Sequence, residues 1–212
     1  MEVAGRLAGR TLGQVADVLG VVIPNNQKRA KGWIGNLIEV ALGATAASQP
    51  EPDFQNIGVE LKTLPLNKNG RPRESTYICT VPLAAADGHE WHRSTVRKKL
   101  NRVLWVPVEA DPGLVLPLRR IGNPFIWSPD QIQQEILRTD WDEFMERIVL
   151  GELDRIDSRH GKALQIRPKA ANAGSRTGTP TNTGDPGLTL PRGFYLRAGF
   201  TWEILKRSAF NV

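Results

Sequence analysis

The sequence predicts a mixed α/β fold built around a mixed sheet, on three observations. Short apolar runs with strand-like alternation occur at 57–64, 76–81 and 103–108. Two capped, amphipathic helical stretches precede them, and a basic helical segment at 94–102 stands before the third run, so helices and strands alternate. A chain of 212 residues buries one substantial core, and the expectation is a single domain of two lobes over 1–212.

Thr11 and Gln14 fit a capping box that opens a helix with Leu12, Val15, Ala16 and Leu19 at helical spacing, and Gly20 ends it. A loop at 24–31, rich in Asn, Gln and Lys, leads to a second helix over 33–42. Its buried stripe is Ile34, Leu37, Ile38, Ala41 and Leu42, and its stop is Gly43. Glu39 lies at the edge of that stripe, facing Gly35 and Gly43. Between the first two strands, the turn Asn67-Lys68-Asn69-Gly70 is a hairpin signal, so those strands are expected to be antiparallel neighbours. Beyond Pro107 two helices are expected. Ser128-Pro129 opens one that runs to Arg138, and Asp140 caps another carrying Trp141, Phe144, Met145, Ile148 and Val149, ended by Gly151. Residues 164–169 read as a strand. The stretch 170–187 is dominated by Ala, Gly, Thr, Asn and Pro and reads as a mobile surface loop, most clearly over 173–187. A last strand at 188–196 precedes a short helix at 201–207.

The formal net charge of +6 favours a polyanionic partner. Location matters more than the total: Arg93, Arg97, Lys98, Lys99 and Arg102 follow one another with no acid among them, and helical spacing would line several along one side, as a phosphate backbone requires. The one cysteine, Cys79, sits inside an apolar run, so no disulfide framework exists and a reducing compartment is implied. The N-terminus has no leader pattern and no apolar run approaches membrane-spanning length; a cytoplasmic protein without a membrane partner is expected.

Chemistry concentrates in Asp53-Phe-Gln-Asn-Ile-Gly-Val-Glu60-Leu-Lys62-Thr. Alternation in a strand points Glu60 and Lys62 to one face and Val59 and Leu61 to the other. A carboxylate on the strand, a second supplied by the preceding loop, and an ammonium two residues on suit a hard divalent cation that keeps waters and accepts a phosphate oxygen. The lysine adds positive charge where a phosphorane develops negative charge. This is a nuclease arrangement, although the triplet alone recurs by chance and is more often a set of solvated edge charges. No covalent nucleophile is in evidence. His89 and His92 read as exposed loop residues rather than zinc ligands, and His160 as solvent-facing.

Longer motifs point to a family. Lys31-Gly-Trp-Ile-Gly-Asn-Leu-Ile-Glu39 and the Asp53 to Thr63 segment resemble the MutH family, which nicks DNA in methyl-directed mismatch repair. Arg102-Val-Leu-Trp-Val-Pro-Val-Glu109, Gln165-Ile-Arg-Pro-Lys-Ala-Ala-Asn172 and Leu190-Pro-Arg-Gly-Phe-Tyr-Leu196 resemble further segments of it, in the same order. The resemblance implies a restriction endonuclease-like fold, with two arms around a DNA-binding cleft, and a Mg²⁺ cofactor. It implies that Asp53 and Glu60 bind metal, that Lys62 is catalytic, that Glu39 is the helix acid beside them, and that Lys99 is a further functional lysine. On the DNA side it implies recognition of GATC by the segment of Arg167 and Lys169, sensing of adenine methylation by Tyr195, and DNA contacts from Tyr77 and Lys31. Arg97 belongs to the basic stripe. An arginine reading guanine through two acceptors supplies a physical reason for Arg167. The implied partners are double-stranded hemimethylated DNA and MutL, with MutS acting through MutL.

The Gly, Thr and Pro of 173–187 depart from the family pattern, where the segment is more charged and helix-prone. Three readings stand at this point: a monomeric nickase, a dimeric restriction-type enzyme cutting both strands, and a catalytically silent DNA binder. Paired acids argue against the last, because they repel a phosphate unless a cation intervenes.

Overall fold

A computed structural model of the chain describes residues 1–24, 32–46, 49–85, 88–169, 174–181 and 187–210. The fold is mixed α/β, and its contacts divide into two compact units: Met1–Glu74, Asn101–Ser128 and Trp202–Val212 form the first, Ser75–Leu100 and Pro129–Thr201 the second. In chain order the helices are α1 (Glu2–Gly5), α2 (Leu12–Leu19), α3 (Trp33–Leu42), α4 (Thr95–Leu100), α5 (Gln131–Val149) and α6 (Ala198–Phe210). The strands are β1 (Glu60–Leu66), β2 (Thr76–Thr80), β3 (Val103–Glu109), β4 (Phe125–Trp127), β5 (Leu164–Pro168), β6 (Thr177–Thr179), β7 (Gly187–Thr189) and β8 (Arg192–Leu196). None of the described helices is long and apolar enough to cross a membrane.

The first unit holds a sheet in the order β1-β3-β4, with β1 and β3 parallel and β4 antiparallel to β3. The two predicted helices cover one face. The Thr11 side chain accepts from the Gln14 N–H, Gln14 returns the bond, and Gly20 closes α2 in the left-handed conformation at φ 65°. Gly43 does the same for α3 at φ 71°. Leu12, Val15 and Ala16 of α2 and Leu37 and Ile38 of α3 bury against Val59, Leu61, Leu104, Val106 and Val108. Period-two alternation then turns Glu60 and Lys62 to the opposite face. β3, the central strand, is apolar almost throughout because its side chains are buried on both faces of the sheet from Val103 to Val108. Pro107 is tolerated there since β4 pairs only with Val103 to Trp105, and the Pro107 carbonyl accepts from Gly122 on the side where β4 has ended.

The expected hairpin between the first two strands does not form. The turn exists: Asn67 Oδ1 accepts from the Asn69 and Arg71 N–H groups, and Gly70 has φ 72°. The chain nevertheless doubles back only as far as Arg73, whose N–H donates to the Pro65 carbonyl. Pro72 has no N–H with which to extend the ladder, and β2 pairs instead with β8 in the second unit.

That unit holds an antiparallel sheet in the order β2-β8-β5. Phe194 and Leu196 of β8 and Leu164 of β5 are buried with Ile78 and Cys79 of β2. α5 presents Leu137, Trp141, Phe144, Met145 and Ile148 to this core, with the Phe144 and Phe194 rings 6.4 Å apart. α5 is one helix where two were expected. Its cap is Asp130, joined to Gln133 in a capping box. Asp140 caps nothing of its own helix: its carboxylate, 3% exposed, accepts from the N–H groups of Lys162, Ala163 and Leu164 at 2.6–2.9 Å. An aspartate in mid-helix is tolerated because these donors lie outside the helix and draw its side chain away from its own backbone. Asp140→Ala would orphan three N–H groups, two of them in the core. It should lower the unfolding free energy by about 3 kcal/mol or more, and Asp140→Asn by less, as read by urea denaturation.

Part of the stretch expected as a loop forms a strand pair, β6 with β7, which packs on the 3₁₀ turn Leu83–Ala85. The last expected strand is two, β7 and β8, parted by Leu190 and Pro191. His160 is not solvent-facing: its ring is 18% exposed, and Nδ1 accepts from the Asp157 N–H.

Candidate active site and candidate nucleic-acid interface

Two constellations carry the predicted site residues, one in each unit. In the first unit the segment ahead of β1 brings Asp53 back against the strand. Phe54 N–H donates to the Val59 carbonyl, the 3₁₀ turn Gln55–Ile57 closes on Gly58 at φ 60°, and the Asp53 carbonyl accepts from Thr45 and Ala46. The Asp53 carboxylate consequently accepts the Leu61 N–H through Oδ2 at 2.8 Å. Glu60, the residue before Leu61, takes Lys62 Nζ on Oε1 at 2.5 Å. The cluster is largely withdrawn from water, with Asp53 7% and Glu60 1% exposed, while the Lys62 side chain is 16% exposed. The loop acid, the strand acid and the lysine expected to act together do therefore converge on three successive residues of β1.

Their donor chemistry fits a divalent cation of the Mg²⁺ type. Two carboxylates offer hard oxygen ligands, too few to enclose the ion, so waters and a phosphate oxygen complete its shell. Among the described residues no group of three or more His, Cys, Asp or Glu side chains is arranged to hold a metal. Glu39 is half-buried on α3.

In the second unit the face of the β2-β8-β5 sheet opposite the core carries Tyr77, Tyr195 and Arg167. Tyr77 and Tyr195 are register partners, with rings edge to face and centroids 5.3 Å apart. Arg167 Cζ stands 5.7 Å from the Tyr195 centroid, and Nη1 donates to Ser75 Oγ at 2.9 Å. Lys169 Nζ lies over the Tyr77 ring. Four of the predicted DNA-binding residues are thereby brought together on β2, β5 and β8 and just beyond. Two neighbours were missed, Ser75 and Gly193. Nothing in the sequence marks Ser75. A glycine inside a strand is a known sign of close approach and was available at Gly193.

The basic stripe is corrected. α4 spans six residues, with Ser94 Oγ capping the Arg97 N–H, and only Arg97 and Lys98 of its basic residues are exposed. Lys99 is buried, 8% exposed, so it belongs to no solvent-facing row. Arg97 is partly engaged within its own unit, its Nη1 donating to the His92 carbonyl. Lys31 lies outside the described residues. His89 and His92 are exposed, and His92 pairs with Glu90.

Comparison with known proteins adds independent findings. A family model described as DNA mismatch repair enzyme MutH matches residues 42–140, a span containing Asp53, Glu60, Lys62 and Lys99. The DNA mismatch repair protein MutH of Vibrio parahaemolyticus is 51% identical over 212 residues, covering 100% of this chain and 94% of that protein. That of Salmonella paratyphi B is 52% identical over 204 residues, covering 96% of this chain and 88% of that protein.

Proposed function

The chain belongs to the MutH family of DNA mismatch repair proteins, and from that premise we propose that it nicks the unmethylated strand at hemimethylated GATC sites, using Mg²⁺ and activated by MutL. It is a DNA endonuclease acting in mismatch repair. The observation that supports the reading most is the convergence of Asp53, Glu60 and Lys62 on the start of β1, withdrawn from water.

Asp53 and Glu60 would hold the ion, which when bound supplies an activated water and neutralises the phosphate under attack. The chain's own groups set the geometry. The Leu61 N–H fixes one oxygen of Asp53, leaving the other free to ligate. Glu60 tethers the Lys62 ammonium beside the reacting phosphate, where it orients the attacking water and offsets charge developing on the phosphoryl oxygens. Hydrolysis with in-line attack leaves a 5′ phosphate and a 3′ hydroxyl. Glu39 and Lys99 are assigned supporting roles in the same reaction, and Lys31 a DNA contact, by match to the family motifs alone.

Recognition falls to the second unit. Arg167 and Lys169 read base edges, and a bidentate arginine–guanine pair is worth about 1–3 kcal/mol of discrimination. Tyr195 senses the adenine methyl group, Tyr77 contacts the duplex, and Arg97 contacts phosphate. The chain acts as a monomer and as a single endonuclease domain, one active centre making one cut, with MutS upstream of MutL.

The test uses unmethylated, hemimethylated and fully methylated GATC duplexes, with Mg²⁺ or EDTA, with and without MutL. Nicks should map to the unmethylated strand, rise with MutL, and vanish in EDTA and on the fully methylated duplex. Cuts in both strands during one encounter, or tight binding with no cut under any condition, would overturn the reading.

A further inference from the structure

We infer that Gly193 is a specificity-determining position: its missing side chain is what allows Tyr77 and Tyr195 to share one seat on the reading face, and so fixes the ring that Arg167 stacks on. The inference rests on the reading of that face given above.

Gly193 is buried in the central strand β8, paired with Arg167 on one side and Thr80 on the other. Its backbone is not among the glycines with positive φ, so no left-handed conformation demands glycine here. Space does. A Cβ at this position would lie 2.9 Å from Tyr77 Cε2, 3.2 Å from Tyr77 Cδ2 and 3.1 Å from Tyr195 Cε2. Both rings therefore rest on the bare backbone, and one methyl group would displace the pair.

The displacement would not stay local, because the rings are members of a ladder. Lys169 covers Tyr77, Tyr77 meets Tyr195 edge to face, Tyr195 underlies the Arg167 guanidinium, and Arg167 is held at its far end by Ser75. Tyr77 is itself held at its hydroxyl, 3.1 Å from Thr80 Oγ1. The core face of the same strand is independent of this arrangement: Phe194 and Leu196 point the other way and are 1% and 0% exposed. A methyl at Gly193 thus acts on the reading face and leaves the core packing intact.

The protein contains two tyrosines, and they are these two. Ring-labelled tyrosine consequently gives an NMR spectrum reporting on this seat alone. In Gly193→Ala both tyrosine signals should move. Selectivity, taken as kcat/KM on GATC over kcat/KM on duplexes with one base changed, should fall about fivefold or more, the lower end of what one good base contact contributes. Affinity for random duplex at low salt should hold. Tyrosine signals that stay in place, or that move while selectivity is unchanged, would overturn the inference. Should Gly193→Ala fail to fold, Tyr77→Leu removes the ring partner instead: the one remaining tyrosine signal must then shift and selectivity must fall, and no change in either would count against the shared seat. If the parent protein itself cuts without preference for any sequence, the functional reading falls and the inference with it. If the parent selects and Gly193→Ala selects equally well, only the role of Gly193 fails.

Discussion

Asp53→Ala should abolish strand cleavage, by on the order of a thousandfold or more, while binding of duplex DNA at low salt should persist. Binding should persist because the exposed cations of the proposed reading face, Arg167 and Lys169, would be untouched and the removed group is itself an anion. The substitution removes two things at once: the proposed ligand for the cation, and the acceptor of the Leu61 N–H. Leaving that buried donor unpaired costs about 1–3 kcal/mol, so a loss of activity through loosened structure has to be separated from a loss of ligation. Asp53→Asn separates them, since an amide oxygen still accepts from Leu61 but brings no charge to the ion. Asn should melt close to the parent and Ala below it, with neither cutting. Gel-based nicking assays and thermal melts on the three proteins decide the matter. Nicking by Asp53→Ala at a tenth of the parent rate or better would place the active centre elsewhere.

The second large effect falls on stability. Glu60 is almost wholly buried and takes the Lys62 ammonium at 2.5 Å. Removing one partner of a buried pair costs about 3–5 kcal/mol, because the charge that stays behind loses the ammonium that offset it. Lys62→Ala should therefore melt roughly 10 °C below the parent in EDTA, as well as losing cleavage. Added Mg²⁺ should recover more of the melting temperature for Lys62→Ala than it adds to the parent, since a cation bound to the folded state replaces the missing charge by mass action. Combining Lys62→Ala with Glu60→Gln removes both charges and should restore stability without restoring activity. Equal melting of Lys62→Ala and the parent in EDTA would show that the ion pair carries no such weight, and Lys62 would lose its assigned partner.

Legibility in the sequence tracks the range of the interactions. α2 and α3 were readable because their caps, Thr11 with Gln14, Gly20 and Gly43, lie within a turn of the helices that they close. The convergence of Asp53, Glu60 and Lys62 was readable for a similar reason. Asp53 lies eight positions before the N–H that it binds, and β-alternation fixes which of the nearby strand side chains share a face. The buried state of Lys99 was not readable, because a run of like charges looks the same whether one member turns inward or not.

By itself the sequence determined the local elements, the spacing of the acids and lysine along β1, and, through whole motifs, the family. Only the tertiary structure decided that β1 lies parallel to β3 while β2 joins β8, that Asp140 serves a loop more than twenty residues away, and that Gly193 underlies two tyrosines. The physical reason is common to all three. Each depends on groups from distant parts of the chain competing for the same neighbour, and such competition is settled by packing and by the need to pair every buried polar group rather than by local preference.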